Sequence, residues 1–179
     1  MATNEYSFQT RWVVPGTPEE ISSLLQEPLG LPRWWPSVYL SARQEGGVTH
    51  LVTRGFLPYR LRWSFRVERS DPPRGFSLVA WGDLEGRGEW SFTPLSASHT
   101  EVLYDWHVVA NKPILRNLSF LLKPFFRLNH DWAMSRGYLS LKLELARRRG
   151  QRVPAPPGPA NDVWFWFVVI LLVWMALHR

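Results

Sequence analysis

The chain of 179 residues is 45% hydrophobic, enough for one packed domain with an appendage, and this excludes wholesale disorder. It contains no cysteine, which excludes disulfides, thiolate nucleophiles and cysteine-ligated zinc. The formal net charge is +6, yet the basic residues are scattered apart from one cluster at Arg147, Arg148, Arg149 and Arg152, which argues against nucleic acid as a partner.

Residues 1–149 read as one folded domain. MATNEYSFQTRW lacks a basic-then-apolar leader, so the domain is expected in the cytoplasm. Tyr6 to Val14 alternates as a strand, with Tyr6, Phe8 and Trp12 on one face. Thr17-Pro18-Glu19-Glu20 then predicts a helix start, with Thr17 as cap, Pro18 in the first position and Glu20 closing a capping box. That helix reaches about Leu25, and a second short one precedes Trp34-Trp35-Pro36. Strands follow near 38–45 and 48–56, with Gly46-Gly47 as the turn between them. The clearest strand is Tyr59 to Glu68. Tyr59, Leu61, Trp63, Phe65 and Val67 share one face, and Arg60, Arg62, Ser64, Arg66 and Glu68 the other. Three more strands fall at about 76–82, 84–94 and 99–109. After Lys112-Pro113 a short helix is expected, broken near Pro124, and a long helix then runs from Pro124 to about Arg149. Strand, two helices, six strands and a long helix make an α+β domain, a curled antiparallel meander with the last helix across its concave side.

Residues 150–161 (GQRVPAPPGPAN) predict a polyproline-type linker, a semi-rigid spacer at about 3.1 Å per residue. Residues 162–179 are then read as a C-terminal transmembrane anchor. Val163 to Leu177 is uncharged and apolar on every side, and such a helix must be buried in a core or in lipid. Fifteen residues span about 22 Å against a hydrocarbon core of about 30 Å, so the fit needs local thinning or the flanking residues. Trp164, Trp166 and Trp174 lie near its ends, where indoles favour the headgroup level. The arginine cluster would remain on the cytoplasmic side, facing anionic headgroups. The expected localisation is a membrane, by single-pass attachment.

The element order, Trp34-Trp35-Pro36 before the second strand, Gly82-Asp83-Leu84-Glu85-Gly86 between strands and Tyr104-Asp105-Trp106 in the last strand resemble the START-like (SRPBCC, Bet v 1-like) superfamily, nearest its polyketide cyclase/dehydrase and lipid-transport branch. The resemblance covers roughly residues 5–147. It implies a helix-grip fold with a cavity for hydrophobic small molecules between sheet and long helix. The apolar tail is not a general feature of that family.

The expected cavity wall takes Trp63, Phe65, Trp90, Tyr104 and Trp106 from the sheet, with Tyr59 and Phe92 as further aromatic candidates. On the long helix, Asp131, Ser135, Tyr138, Lys142 and Arg149 read as the water face. Asn129, Ala133, Arg136 and Ser140 lie opposite and are the helix's expected ligand contacts, with Gly137 and Ala133 equally consistent with close packing. No zinc-helix histidine spacing and no G-x-S-x-G is present, so neither a metal nor a cofactor is expected. The weak acid/base candidates are Asp105 or His107 with His130. The leading expectation is a membrane-tethered, non-enzymatic binding or transfer domain for a lipid-like or aromatic molecule. A polyketide cyclase or dehydratase is one alternative, and a module for protein interaction is the other.

Overall fold

The computed structural model describes residues 5–110, 119–161 and Trp174. Seven antiparallel strands form one sheet: β1 (Glu5–Pro15), β2 (Tyr39–Glu45), β3 (Val48–Thr53), β4 (Leu61–Asp71), β5 (Gly75–Gly82), β6 (Leu84–Ser96) and β7 (His99–Ala110). Their order is β1-β7-β6-β5-β4-β3-β2, so β2 to β7 are a continuous meander and β1 closes against β7. Between β1 and β2 lie α1 (Pro18–Leu25), a 3₁₀ turn (Pro28–Gly30) and α2 (Leu31–Trp34). The long helix α3 (Ser119–Arg148) completes a helix-grip α+β domain.

Local chemistry sets these elements where the sequence placed them. Thr17 caps α1 by accepting from the Glu20 amide, and the Thr17 amide donates back to the Glu20 carboxylate at 2.9 Å. Gly46 and Gly47 join β2 to β3 with φ of 53° and 80°, both in the left-handed region where a side chain is strained. Alternation along β4 puts Trp63 and Phe65 inside and Arg62 and Arg66 outside. The outer face is a polar ladder in which Arg87 meets Glu68 at 3.0 Å and Arg69 meets Glu89 at 2.5 Å.

Helix α3 does not begin at Pro124. It extends back to Ser119 with the proline inside. So near the N-terminus a proline removes a single backbone bond, beside first-turn amides that have no intrahelical partner in any case. The short helix expected after Lys112 falls largely on residues 111–118, outside the described residues. No helix among the described residues is long and apolar enough to cross a membrane. The expected anchor at Val163 to Leu177 lies outside them, Trp174 excepted.

The C-terminal end of α3 departs from the sequence reading. Glu144 is 2% exposed and accepts from Arg33 at 2.7 and 3.0 Å, from Arg147 at 2.6 Å and from Arg148 at 3.4 Å. Arg148 also reaches Glu27, and Arg149 reaches Glu20 at 2.6 Å. Three members of the expected basic collar are therefore tied to glutamates of the domain itself. Among the described residues, Arg152 alone of the four has no ion pair. The cause is tertiary: Glu20 and Glu27 are remote in sequence and meet the arginines only after α1 folds against α3.

The Pro-rich segment also behaves otherwise than as a spacer pointing away. Gly150, with φ of 79°, ends α3 in a Schellman turn: its amide donates to Arg147 and that of Gln151 donates to Ala146. The chain reverses, and the segment returns along the domain. Arg147 holds the Pro154 carbonyl at 3.2 Å and Arg54 holds the Ala160 carbonyl at 3.0 Å.

Candidate ligand cavity

The concave side of the sheet is lined with aromatic rings because inward positions on β4 to β7 alternate with polar outward ones. Trp90 stacks on Tyr104 at 4.0 Å between centroids, Tyr104 lies 5.8 Å from Trp106, and Trp106 lies 5.7 Å from Trp63. Gly88 permits this arrangement, since a Cβ there would lie 2.9 Å from the Trp106 ring. The Trp63 indole N–H donates to Thr53 Oγ1 at 3.0 Å, which fixes that ring in place.

These rings do not enclose one hollow. They divide it into two cavities. The first, about 100 Å³, lies toward α1 and the β2–β3 turn, with Trp35, Tyr39, Trp63, Phe65, Trp90 and Tyr104 among its walls. Gln26, Gln44 and Thr49 bring polar atoms to it. The second, about 130 Å³, lies toward the N-terminal half of α3, with Phe8, Tyr59, Trp106, Phe126, His130 and Ala133 among its walls. Tyr6, Thr53, Arg54 and Asn129 also bring polar atoms to it. Trp63 belongs to the first cavity and Trp106 to the second, so their contact is part of the partition. Trp35, a wall of the first cavity, is wedged against Gly137, where a Cβ would lie 2.1 Å from the indole.

All five sheet residues expected in the wall are found there: Trp63, Phe65, Trp90 and Tyr104 in the first cavity, Trp106 in the second. Tyr59 joins the second, whereas Phe92 is 3% exposed and packed in the core. On α3, Asn129 and Ala133 line the second cavity. Arg136 does not; its guanidinium lies over the Trp132 ring at 5.7 Å. Ser140 lines neither cavity and is fully buried, its hydroxyl without a partner among the described residues. Gly137 is settled as a packing residue. Tyr138, expected on the water face, instead donates to the Val13 carbonyl at 2.9 Å and packs on Trp12. The wheel of α3 is thus rotated slightly from the sequence reading, because one flank of the helix rests on β1.

The three acid/base candidates are separated. His130 lines the second cavity, stacked on Phe8 at 4.2 Å, with Nε2 3.2 Å from Thr10 Oγ1. Asp105 and His107 point to the opposite side of the sheet. There Asp105 accepts from Gln9 at 2.8 Å, and His107 Nδ1 lies 2.9 Å from Ser7 Oγ. Strand parity explains this: Tyr104, Trp106 and Val108 point inward, so the residues between them point out. Burial lowers the His130 pKa to about 4, against a smaller opposing pull from Asp131. His130 is therefore a neutral imidazole near pH 7. Burial likewise pushes the Tyr59 and Tyr104 phenols up, so they too stay neutral.

The sequence reading passed over Trp35, Tyr39, Thr53, Arg54 and the Gly55 backbone. Of these only Thr53 had a usable signal, since it shares strand parity with Thr49 and Leu51. Asn129 was found, but its role differs from a plain ligand contact. Its Oδ1 accepts from the Leu57 amide at 3.3 Å, and its side chain fills the space where Gly55 lacks a Cβ.

A curved sheet gripping a long helix over aromatic hollows defines a START-like protein. Residues 14–134 match the model of the family described as polyketide cyclase / dehydrase and lipid transport, and the chain belongs to that family. No curated protein sequence matches it. Among solved structures it is similar to an aromatase/cyclase from Streptomyces, at 14% identity and a TM-score of 0.64, over 81% of this chain and 96% of that one. It is similar too to a Thermus thermophilus protein, at 19% identity and a TM-score of 0.63, over 82% of this chain and the whole of that one. A START superfamily protein from Mycobacterium smegmatis shares 14% identity at a TM-score of 0.56, over 74% and 96% of the two chains. At such identities the likeness is one of fold.

Proposed function

We propose that this chain is a membrane-tethered, non-enzymatic domain that binds or transfers a hydrophobic small molecule, lipid-like or aromatic. The observation that carries the reading is the pair of apolar cavities between sheet and helices, each walled by rings with a few polar atoms at fixed places. The second, at about 130 Å³, approaches the cavity of about 150 Å³ that binds benzene, and the first, at about 100 Å³, is smaller. A longer ligand needs the Trp63–Trp106 partition to part. The uncharged run from Val163 to Leu177 supports the tether. A tether raises the local concentration of a membrane-derived ligand at the cavity without any new contact.

Native mass spectrometry of protein purified from membranes, with solvent extraction of what it carries, tests the binding reading. A stoichiometric apolar ligand is the expected result. Uniformly ligand-free protein that also fails to take up a panel of lipids and polycyclic aromatics would defeat it.

A second reading, a cyclase or dehydratase on a polyketide-like substrate, is favoured by His130 alone. It is a neutral imidazole on a cavity wall, held by Thr10. It lacks the second acid/base group expected from Asp105 or His107, which lie across the sheet. Turnover of a polyketide-like substrate abolished by His130→Phe would favour this reading over simple binding.

A further inference from the structure

We infer that the Pro-rich segment is a strap that sets the mouth of the second cavity, and not that of the first, against the bilayer. This rests on the tethered reading above. The Schellman turn at Gly150 sends the chain back along α3. From Gly150 to Ala160 an extended polyproline path covers about 31 Å, and α3 from Arg149 back to Asn129 covers about 30 Å. The two lengths match, and the Arg54 bond to the Ala160 carbonyl confirms where the path ends. Arg54 and its neighbour Gly55 line the second cavity, beside Asn129. The apolar run begins at Val163, three residues after Ala160. The chain therefore enters its membrane-seeking segment at the second cavity, about 30 Å from the end of α3 where a free linker would have started.

The surface beside that mouth has the composition of a bilayer contact. Leu128 is 58% exposed on the outer flank of α3, one turn before Trp132. Phe56, next to Gly55, meets Trp132 edge-on at 6.3 Å, and Arg136 covers the Trp132 ring. Apolar side chains, an indole and the Arg136 cation on one side match what sits at the headgroup boundary. The first cavity opens near Gln44 and Gly47, beside a polar hairpin that carries Arg43, Gln44 and Glu45. The arginines at the end of α3, being bound to glutamates, are poor candidates for the headgroup contact. The face at Leu128 and Trp132 takes that place.

The native chain has no cysteine, so single labels can be placed at will. Full-length Leu128→Cys and Glu45→Cys variants carry an environment-sensitive fluorophore and are bound to vesicles of phosphatidylcholine and phosphatidylserine with brominated acyl chains. The expected result is that both variants float with the vesicles, while the label at position 128 is quenched several-fold more than that at 45. Inserting a flexible Gly-Ser stretch between Asn161 and Asp162, beyond the Arg54 contact, should keep flotation and abolish the difference. Flotation with equal quenching at the two positions, or with more at 45, overturns the strap inference and leaves the tether standing. Failure to float removes both. Position 128 shielded from aqueous quencher but not reached by brominated lipid would mean that the tail folds over the mouth, which also overturns it.

Discussion

The two halves of α3 have the same origin and opposite characters. The C-terminal half is locked. Gly137 meets Trp35, Leu141 and Leu145 are buried, and Glu144 binds arginines from two helices. The N-terminal half is loosely filled. Phe126, Asn129, His130 and Ala133 face a cavity, and Leu128 stands in the open. One end of the helix fixes it to the fold, so that the other end can roof a hollow without collapsing into it. The difference is expected to show as a split between stability and binding.

Glu144→Ala should be the most damaging single change in the locked half. Burial alone would raise the Glu144 pKa, but the hydrogen bonds from Arg33, Arg147 and Arg148 outweigh it and hold the pKa low. Removing the carboxylate leaves three guanidiniums without their common partner and empties a buried site. The expected loss is about 3 kcal/mol, the lower end for a broken buried pair because the arginines keep access to water. Urea unfolding followed by tryptophan fluorescence measures it.

Gly137→Ala is next. Alanine gains up to about 1 kcal/mol of helix propensity over glycine. The new methyl would lie 2.1 Å from Trp35, itself 2% exposed, so the wedge must shift. Overpacking of this kind costs roughly 1–3 kcal/mol, enough to outweigh the gain. A variant more stable than wild type would show that Trp35 is not fixed against Gly137.

The loose half should announce itself through pH. His130 has a folded pKa near 4, below the ordinary 6.5, so the unfolded chain binds the proton more readily. Its contribution is fully present above pH 6.5 and is lost as pH falls toward about 4. The size is about 2 kcal/mol, after allowance for partial solvation. Glu20 and Glu144, whose pKa values are lowered, withdraw their support only at and below the bottom of that window. His130→Phe keeps the stacking on Phe8 and removes the titration. Its stability should therefore decline less than that of wild type between pH 7 and pH 4.5, by equilibrium unfolding at a series of pH values.

What the chain revealed in advance follows the range of the forces involved. The cap at Thr17, the turn at Gly46-Gly47 and the alternation of β4 are set within a few residues, and all three were legible. On β4 strand parity alone sends Trp63 inward, whereas on β7 Leu103 and Val109 share the parity of Asp105 and His107, so the inward turn of Tyr104 and Trp106 is fixed by pairing with β6. Helix α3 gave its periodicity but not its phase. A helical wheel cannot tell that Tyr138 will find the Val13 carbonyl, or that Arg136 will lie on Trp132 instead of entering the hollow. The wedging of Trp35 against Gly137 and the neutralised arginine cluster were hidden more deeply. Each joins α3 to the region of residues 20–35, more than a hundred residues away in sequence.

The smallest expected effect on stability is the sharpest test of the comparison. Ala133 sits one helical turn before Gly137 and differs from its hydrogen by a single methyl, yet it faces the second cavity instead of a ring. Ala133→Leu adds more bulk than Gly137→Ala. In a packed site it should be the worse substitution, because inserted methylenes force neighbours off their rotamers. Beside about 130 Å³ of open space the added isobutyl group has somewhere to go, and it buries apolar surface as it fills. Its stability change should stay within about 1 kcal/mol of zero, while uptake of an apolar ligand falls sharply. The inverse pairing, a stability loss with ligand uptake intact, would mean that this half of α3 is packing after all and that ligand enters beyond the partition, at the first cavity. Trp63→Ala, which opens the wall from that side, would then raise uptake in the Ala133→Leu background, whereas on the present reading it leaves the blocked second cavity blocked.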